Sequence, residues 1–222
     1  MSDSYKISGF RRRAAAWLSP LLAPKPDPRT QDLDHAWLAL ERRLANREGL
    51  EILELGTRQR EGQPLLRRDA LFPKAKRYVG LDQETGAGVD IVADAHRLSE
   101  VVEPESFDAV LALSTFEHIK YPWLAAHEMA KVTKQGGLIY VMSHQSFVLH
   151  GAPHDYWRFS ANGFRALFPE SMGLTVLQCL YTRPCLIVAG EDPLQTQGRS
   201  YLCVSILVRK DGPTPETFPY EL

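Results

Sequence analysis

Cysteine is scarce in this chain and carries no pattern that could organise a fold. Cys179, Cys185 and Cys203 are three among 222 residues, and no two of them form a C-x-x-C. Such a set argues against a disulfide framework and against a thiolate zinc site. Each lies in an apolar run, where a free thiol behaves as a small hydrophobe, so a reducing cytoplasm is the expected compartment. An excess of one charge is missing too: Lys and Arg number 26, Asp and Glu 27, and the formal charge is −1. A chain that lives on phosphate backbones shows a basic excess or stripe, so no nucleic-acid partner is expected. No apolar run approaches the ~20 residues that cross a bilayer, so no integral span is expected. Internal repeats and low-complexity tracts are absent. So are G-x-G-x-x-G and G-x-x-x-x-G-K-[ST], which counts against a common dinucleotide site and a P-loop nucleotidase.

What is present is globular. Hydrophobic residues are 44% and charged residues 24%, and a chain this long buries roughly 70% of its unfolded surface without staples. Residues 1–32 form an arm. Arg11, Arg12 and Arg13 precede AAAWLSPLLAP (14–24), which Pro20 interrupts, and a proline-rich linker follows at 23–32. The arm reads first as a docking or lid helix; weak membrane-surface or partner contact through residues 10–24, or a processed signal, are the alternatives. Residues 33–222 are expected to form one domain. Nothing in the sequence sets the oligomeric state.

Within that domain, helical and strand patterns alternate. A helix is predicted over 31–47, then strand ILEL (52–55), a helix over 63–72, and strands RYVGLD (77–82) and VDIVAD (89–94). Strand FDAVLALS (107–114), an amphipathic helix (123–133), strand LIYVMS (138–143) and a helix (161–168) follow. The last two strands, 174–181 and 201–209, have no helix between them and read as an antiparallel pair. The pattern predicts an α/β, three-layer, Rossmann-like sheet, mostly parallel with an antiparallel last strand.

Ligands of such sheets bind beyond the carboxyl ends of the strands. The first strand ends in Glu54-Leu55-Gly56-Thr57, where Gly56 lets the backbone turn tightly. Asp82 ends the second, 28 residues after Glu54, where an acid can accept from both hydroxyls of an adenosine ribose. Asp94-Ala95-His96 ends the third, where a carboxylate can accept from an adenine amino group. Each acid alone is as well read as a turn or helix cap; together, on one sheet, they point to a nucleoside.

Strand four ends in Ser114-Thr115-Phe116-Glu117-His118-Ile119. With it, ILELG, YVGLD, VADAH, FDAVLALSTFEHI and VTKQGGLIYVMS resemble the successive motifs of class I S-adenosylmethionine-dependent methyltransferases over about residues 50–145, with a continuation to 209. The stretch His150-Gly151-Ala152-Pro153-His154-Asp155-Tyr156-Trp157-Arg158-Phe159 is similar to an HG-P-DYWRF stretch that a subgroup of that family carries after strand five. The resemblance implies S-adenosyl-L-methionine as cofactor and a small-molecule or glycan-type acceptor. It places Glu54, Gly56 and Thr57 at the methionine end, Asp82 with Gln83 at the ribose, Asp94 and Ala95 at the adenine and Ser114 under the sulfonium. Glu117 and His118 then lie near the mouth. The first loop departs from the family, since Arg58 and Arg60 stand where further glycines are common and Gly62 supplies the later flexible point.

The reaction needs in-line alignment of nucleophile, methyl carbon and sulfur. An oxygen acceptor also profits from a base poised near neutrality. His118 is the first choice, with His154 second, and His144 also falls in the region. His150, Asp155, Tyr156 and Arg158 are the expected acceptor contacts, Arg158 as a clamp for a carboxylate or phosphate, or as a partner of Asp155. Tyr156, Trp157 and Phe159 could face the sulfonium or anchor the loop. His150, His154 and Asp155 could gather a metal, but loop spacing fixes no geometry and no metal is expected. The leading expectation is therefore a methyltransferase acting on O or N. A non-catalytic scaffold with the same fold, contacting partners through its arm, is the alternative, and a nicotinamide-dependent oxidoreductase is a third.

Overall fold

The computed structural model describes residues 35–45, 47–59, 68–187 and 198–220. The arm and linker at 1–32, residues 31–34 and 46 of the predicted helix 31–47, and residues 63–67 of the predicted helix 63–72 lie outside the described residues, and so does the expected domain boundary at 32/33.

Seven strands form one sheet: β1 Glu51–Leu55, β2 Arg77–Asp82, β3 Ile91–Val92, β4 Phe107–Leu113, β5 Thr133–His144, β6 Leu174–Ile187 and β7 Gly198–Lys210. Their order is β3-β2-β1-β4-β5-β7-β6. The first five are parallel, and β7 runs antiparallel to both β5 and β6. This is the expected α/β arrangement.

The strands bury both faces, as parallel strands between helices must. Leu53, Leu55, Val110, Ala112, Ile139 and Val141 point into one apolar cluster, while Ile52, Ala109, Leu111, Leu138 and Tyr140 point into the other. That two-residue alternation makes three layers. Helix α1 (His35–Leu44) covers the second face with Ala36, Ala39, Leu40 and Leu44, a helical stripe. Helix α2 (Pro122–Val132) covers the first face with Ala125, Ala126, Met129, Ala130 and Val132, mostly small residues that let it lie close. Pro122 starts it at a position where no intrahelical N–H is needed. Helix α3 (Ala161–Leu167) begins at Ser160, whose hydroxyl accepts from the Gly163 amide at 3.0 Å.

Three differences from the sequence expectation have local causes. Residues 68–71 of the predicted helix are a single 3-10 turn. The strand expected over 89–94 shrinks to two residues, because the Asp90 carboxylate accepts the Gly80 amide (2.7 Å) in place of a strand partner. The last two strands run on as a hairpin past the sheet to the pair Ile187–Gly198.

Candidate active site

The chain order reverses between β1 and β4, and there Gly56 and Ser114-Thr115 leave the sheet side by side. Gly56 has φ +74°, and a Cβ on it would lie 2.2 Å from Thr115 Oγ1, so only glycine fits this crossing. Ser114 holds φ +50°, a left-handed conformation that side chains rarely adopt. A cavity of about 870 Å3 opens above them, within the ~300–1,000 Å3 typical of small-molecule sites.

Of the residues expected at a cofactor, Gly56, Thr57, Asp82, Gln83, Asp94, Ala95 and Ser114 all line this cavity. So do His118, His150, His154 and Tyr156 from the expected catalytic and acceptor set. Asp82 accepts the Arg58 amide on Oδ2 and the Glu84 amide on Oδ1, each at 3.1 Å. A carboxylate offers about four lone-pair sites, so two remain for a ligand. Asp94 accepts from the amide of His96 (2.9 Å) and from its Nδ1 (2.5 Å). Burial alone would raise its pKa, but these bonds outweigh it and hold Asp94 below the ordinary carboxylate value.

Glu54, Asp155 and Arg158 do not reach the cavity. Glu54 is 2% exposed and takes the Tyr78 hydroxyl, tying β1 to β2. Asp155 and Arg158 form a two-pronged pair at 2.5 and 2.8 Å. Arg158 also donates to the carbonyls of Phe147, Val148 and Trp157, so all its reach goes into holding the loop after β5. The sequence left the Arg158 clamp and the Asp155 pairing both open; the structure shows the pairing. Phe159 is buried between Phe116 and Phe164, and Trp157 stacks on Phe159, so these two anchor the loop and only Tyr156 of the three aromatics faces the cavity.

His118 is held for a purpose. Its Nδ1–H donates to the His154 carbonyl at 2.6 Å, because a carbonyl can only accept, and this bond fixes the orientation of the ring. His150 repeats the arrangement, with Nδ1–H donating to the Val148 carbonyl at 3.1 Å. His154 itself meets the Tyr156 hydroxyl at 2.9 Å.

In sequence Glu117 falls near the mouth without a role, and His144 falls in the region without an assigned contact. Glu117 is fully buried. Ser143 donates to its Oε2 at 2.6 Å, while its Oε1 lies 2.6 Å from His144 Nδ1, 3.7 Å from His150 Nε2 and 3.9 Å from His118 Nε2. Burial would raise the Glu117 carboxyl, but His144 and the Ser143 bond outweigh it and hold it below its ordinary value. The only sequence signal for this cluster was that strands four and five, which are neighbours, both end in histidine-bearing segments.

Residues 69–141 match the family model described as a methyltransferase domain. The sheet order and strand directions are those of the class I methyltransferase fold. The match takes in β2 to most of β5 and leaves out β1 and the first loop, where Arg58 and Arg60 replace glycines. Solved structures share the methyltransferase fold at low identity. A SAM-dependent methyltransferase from Archaeoglobus fulgidus aligns with TM-score 0.57 at 13% identity, over 78% of this chain and 92% of its own. One from Aquifex aeolicus aligns with TM-score 0.53 at 14%, over 88% and 97%. The 1,6-didemethyltoxoflavin-N1-methyltransferase of Burkholderia thailandensis, solved with 1,6-didemethyltoxoflavin and S-adenosylhomocysteine bound, aligns with TM-score 0.54 at 13%, over 95% and 94%. No curated protein matches the sequence. Among the described residues no helix is long and apolar enough to cross a membrane.

The first loop, which carries Arg58, packs against the segment that follows β2. Gln59 donates to the Ala87 carbonyl at 3.1 Å. A Cβ on Gly80 would stand 2.0 Å from the Gly88 carbonyl and 2.7 Å from Thr57, one on Gly86 2.8 Å from Arg58, and one on Gly88 2.9 Å from the Thr57 carbonyl. The first loop and the segment after β2 thus lie against each other, with little room for side chains at Gly80, Gly86 and Gly88. The fit to S-adenosylmethionine is chemical: two acceptor-only carboxylates with spare lone pairs suit hydroxyls and an amino group, beside a backbone crossing that no side chain blocks.

Proposed function

We propose that this protein is an S-adenosylmethionine-dependent methyltransferase acting on a small-molecule or glycan-type acceptor, with transfer to oxygen favoured over nitrogen. The observation that supports it most is that Asp82, Asp94 and His118 all line one cavity. Gly56 and Thr57 would bind the methionine end, Asp82 and Gln83 the ribose, Asp94 and Ala95 the adenine, and Ser114 would sit beneath the sulfur. The cofactor supplies an electrophilic methyl group on a sulfonium. The chain then has to place the acceptor in line and exclude water. His150, His154 and Tyr156 shape the acceptor end. His118 Nε2 takes the acceptor proton, and the His154 carbonyl stabilises the resulting imidazolium through Nδ1–H. A dedicated proton acceptor is what a hydroxyl needs and an amine does not, which is why oxygen is favoured.

Calorimetric titration with S-adenosylmethionine and S-adenosylhomocysteine tests the cofactor assignment, and absence of heat with both would overturn it. Transfer of a labelled methyl group into fractionated small molecules and glycans tests the acceptor class. Labelled product that is stable to base but carries an N-methyl group would overturn the preference for oxygen.

A further inference from the structure

We propose a divalent transition-metal site of the zinc class at the acceptor end of the cavity, with Glu117 Oε1, His144 Nδ1 and His150 Nε2 as its ligands. One ligand atom of each residue lies within 4.8 Å of those of the other two, and the residues come from the ends of β4 and β5 and the loop after β5.

The cluster gathers one carboxylate oxygen and several imidazole nitrogens. With Nδ1 of His118 and of His150 against the carbonyls of His154 and Val148, both Nε2 atoms face the same carboxylate oxygen, at 3.9 and 3.7 Å. Among the described residues the ion-pair partners of Glu117 are His118, His144 and His150. Glu117 Oε1 and His144 Nδ1 are moreover buried without an aligned hydrogen bond, although they touch at 2.6 Å. A buried carboxylate oxygen left this way is costly, and a metal ion satisfies it together with both imidazoles.

The separations suit such an ion. Ligands held at about 2.0–2.1 Å in a tetrahedron stand roughly 3.3 Å apart. The 3.7 Å between Glu117 and His150 lies just above that, and the 2.6 Å between Glu117 and His144 must open by less than an ångström. Imidazole with one carboxylate selects zinc-like ions over magnesium or calcium, which prefer all-oxygen sites. The outer contacts are those a metal site uses to orient its ligands. Ser143 holds the other oxygen of Glu117 (2.6 Å), the Val148 carbonyl holds His150, and Phe147 stacks on the His144 ring at 4.2 Å. Three protein ligands leave an open position toward the cavity. On the methyltransferase reading, a metal there binds the acceptor hydroxyl and lowers its pKa beside His118; binding of the ion itself does not depend on that reading.

The test uses untagged full-length protein stripped with a chelator and titrated with Zn2+ by calorimetry, with metal content measured after dialysis. One equivalent per chain is expected, with Mg2+ failing to compete. His150 sits on a loop at 28% side-chain exposure, so His150→Ala keeps the fold, which its unchanged melting temperature checks, and lowers Zn2+ affinity by at least ~100-fold. Glu117→Gln lowers it as well. Absence of stoichiometric Zn2+ in the wild type, or equal affinity in His150→Ala, overturns the site. S-adenosylhomocysteine titrated into the stripped protein reads the cofactor end separately, so loss of one assignment leaves the other standing.

Discussion

The α-carbon of Gly151 rests against the imidazole of His118: a Cβ at this position would lie 2.7 Å from Cε1 and 3.2 Å from Nδ1. Gly151 also holds φ +65°, so two independent demands select glycine. Gly151→Ala is expected to push His118 out of register with the His154 carbonyl. A displacement of about 1 Å at a proton-transfer group costs on the order of 100-fold in rate. The variant should therefore lose that much kcat while its affinity for S-adenosylhomocysteine stays within twofold, since the cofactor end is untouched. His118→Gln, which keeps a side-chain amide near the carbonyl but removes the base, should lose about 10²–10⁴-fold. Steady-state kinetics beside calorimetry separates these effects, and a fall in cofactor affinity of the same size as the fall in kcat would count against the assignment.

On the proposed reading Asp82 has two roles, which a pair of substitutions grades. Its carboxylate braces the amides of Arg58 and Glu84 and keeps lone pairs for a ligand. Asp82→Ala removes both and should weaken cofactor binding by about 1.5–3 kcal/mol, the usual worth of hydrogen bonds to a charged group. Asp82→Asn retains one accepting oxygen and should fall between. If calorimetry finds Asp82→Ala as tight as wild type, the ribose is held elsewhere.

Much of the fold was legible because its signals are local. Alternating apolar runs such as ILEL and FDAVLALS announce buried parallel strands, and the missing helix between 181 and 201 announces the antiparallel pair. The shared cavity was legible for the same reason: Gly56, Asp82 and Asp94 each stand at a strand end, and the strand-end rule turns sequence position into spatial position, so all three line it. Other parts depended on contacts that no local pattern encodes. Asp155 and Arg158 look like acceptor contacts in sequence, yet a spacing of three residues on a tight loop lets them satisfy each other. Glu54 looks like a cofactor ligand, yet it faces Tyr78 on the neighbouring strand. The Glu117–His144–His150 cluster joins residues 33 positions apart, and only the pairing of β4 with β5 brings them together.

The loop-on-loop contact behind the cofactor end makes a stability prediction. Gly80→Ala would drive a Cβ to 2.0 Å from the Gly88 carbonyl, and backbone cannot swing aside as a side chain can. A loss of roughly 1–3 kcal/mol is expected, as for overpacked interiors. Gly49→Ala is the matched control. It also sits at positive φ (+71°) but with nothing within 4 Å of the added carbon, so only the left-handed strain of about 1–2 kcal/mol applies. Urea midpoints of the two variants compare them directly. In addition, Gly80→Ala should loosen cofactor binding, whereas Gly49→Ala should not; equal binding would mean that the loop after β2 does not support the first loop.

The pH dependence of stability follows from the latch over the site. The Arg158 guanidinium, through its paired hydrogen bonds, holds the Asp155 carboxyl far below its ordinary value, and the His150 amide adds to this against the opposing effect of burial. Glu117 is also held low, against its burial, by His144 and Ser143. A carboxyl depressed in the folded state contributes stability that is complete above its unfolded value, about 3.9 for Asp and 4.3 for Glu, and that drains away as pH falls toward the folded one. Melting temperature should therefore hold steady from pH 7 to about 5 and drop below about 4. Arg158 is raised rather than lowered, so its own titration lies far above this window and adds no slope. Asp155→Asn keeps the shape but not the charge. It should melt below wild type at pH 7, by roughly 1–3 kcal/mol of lost charged hydrogen bonding, and should show a shallower acid slope, so that the gap between the two curves narrows progressively below about pH 4. Parallel curves across the whole range would mean that the Asp155 pair does not latch the loop in solution, and that the acceptor end of the cavity owes its shape to Trp157 and Phe159 alone.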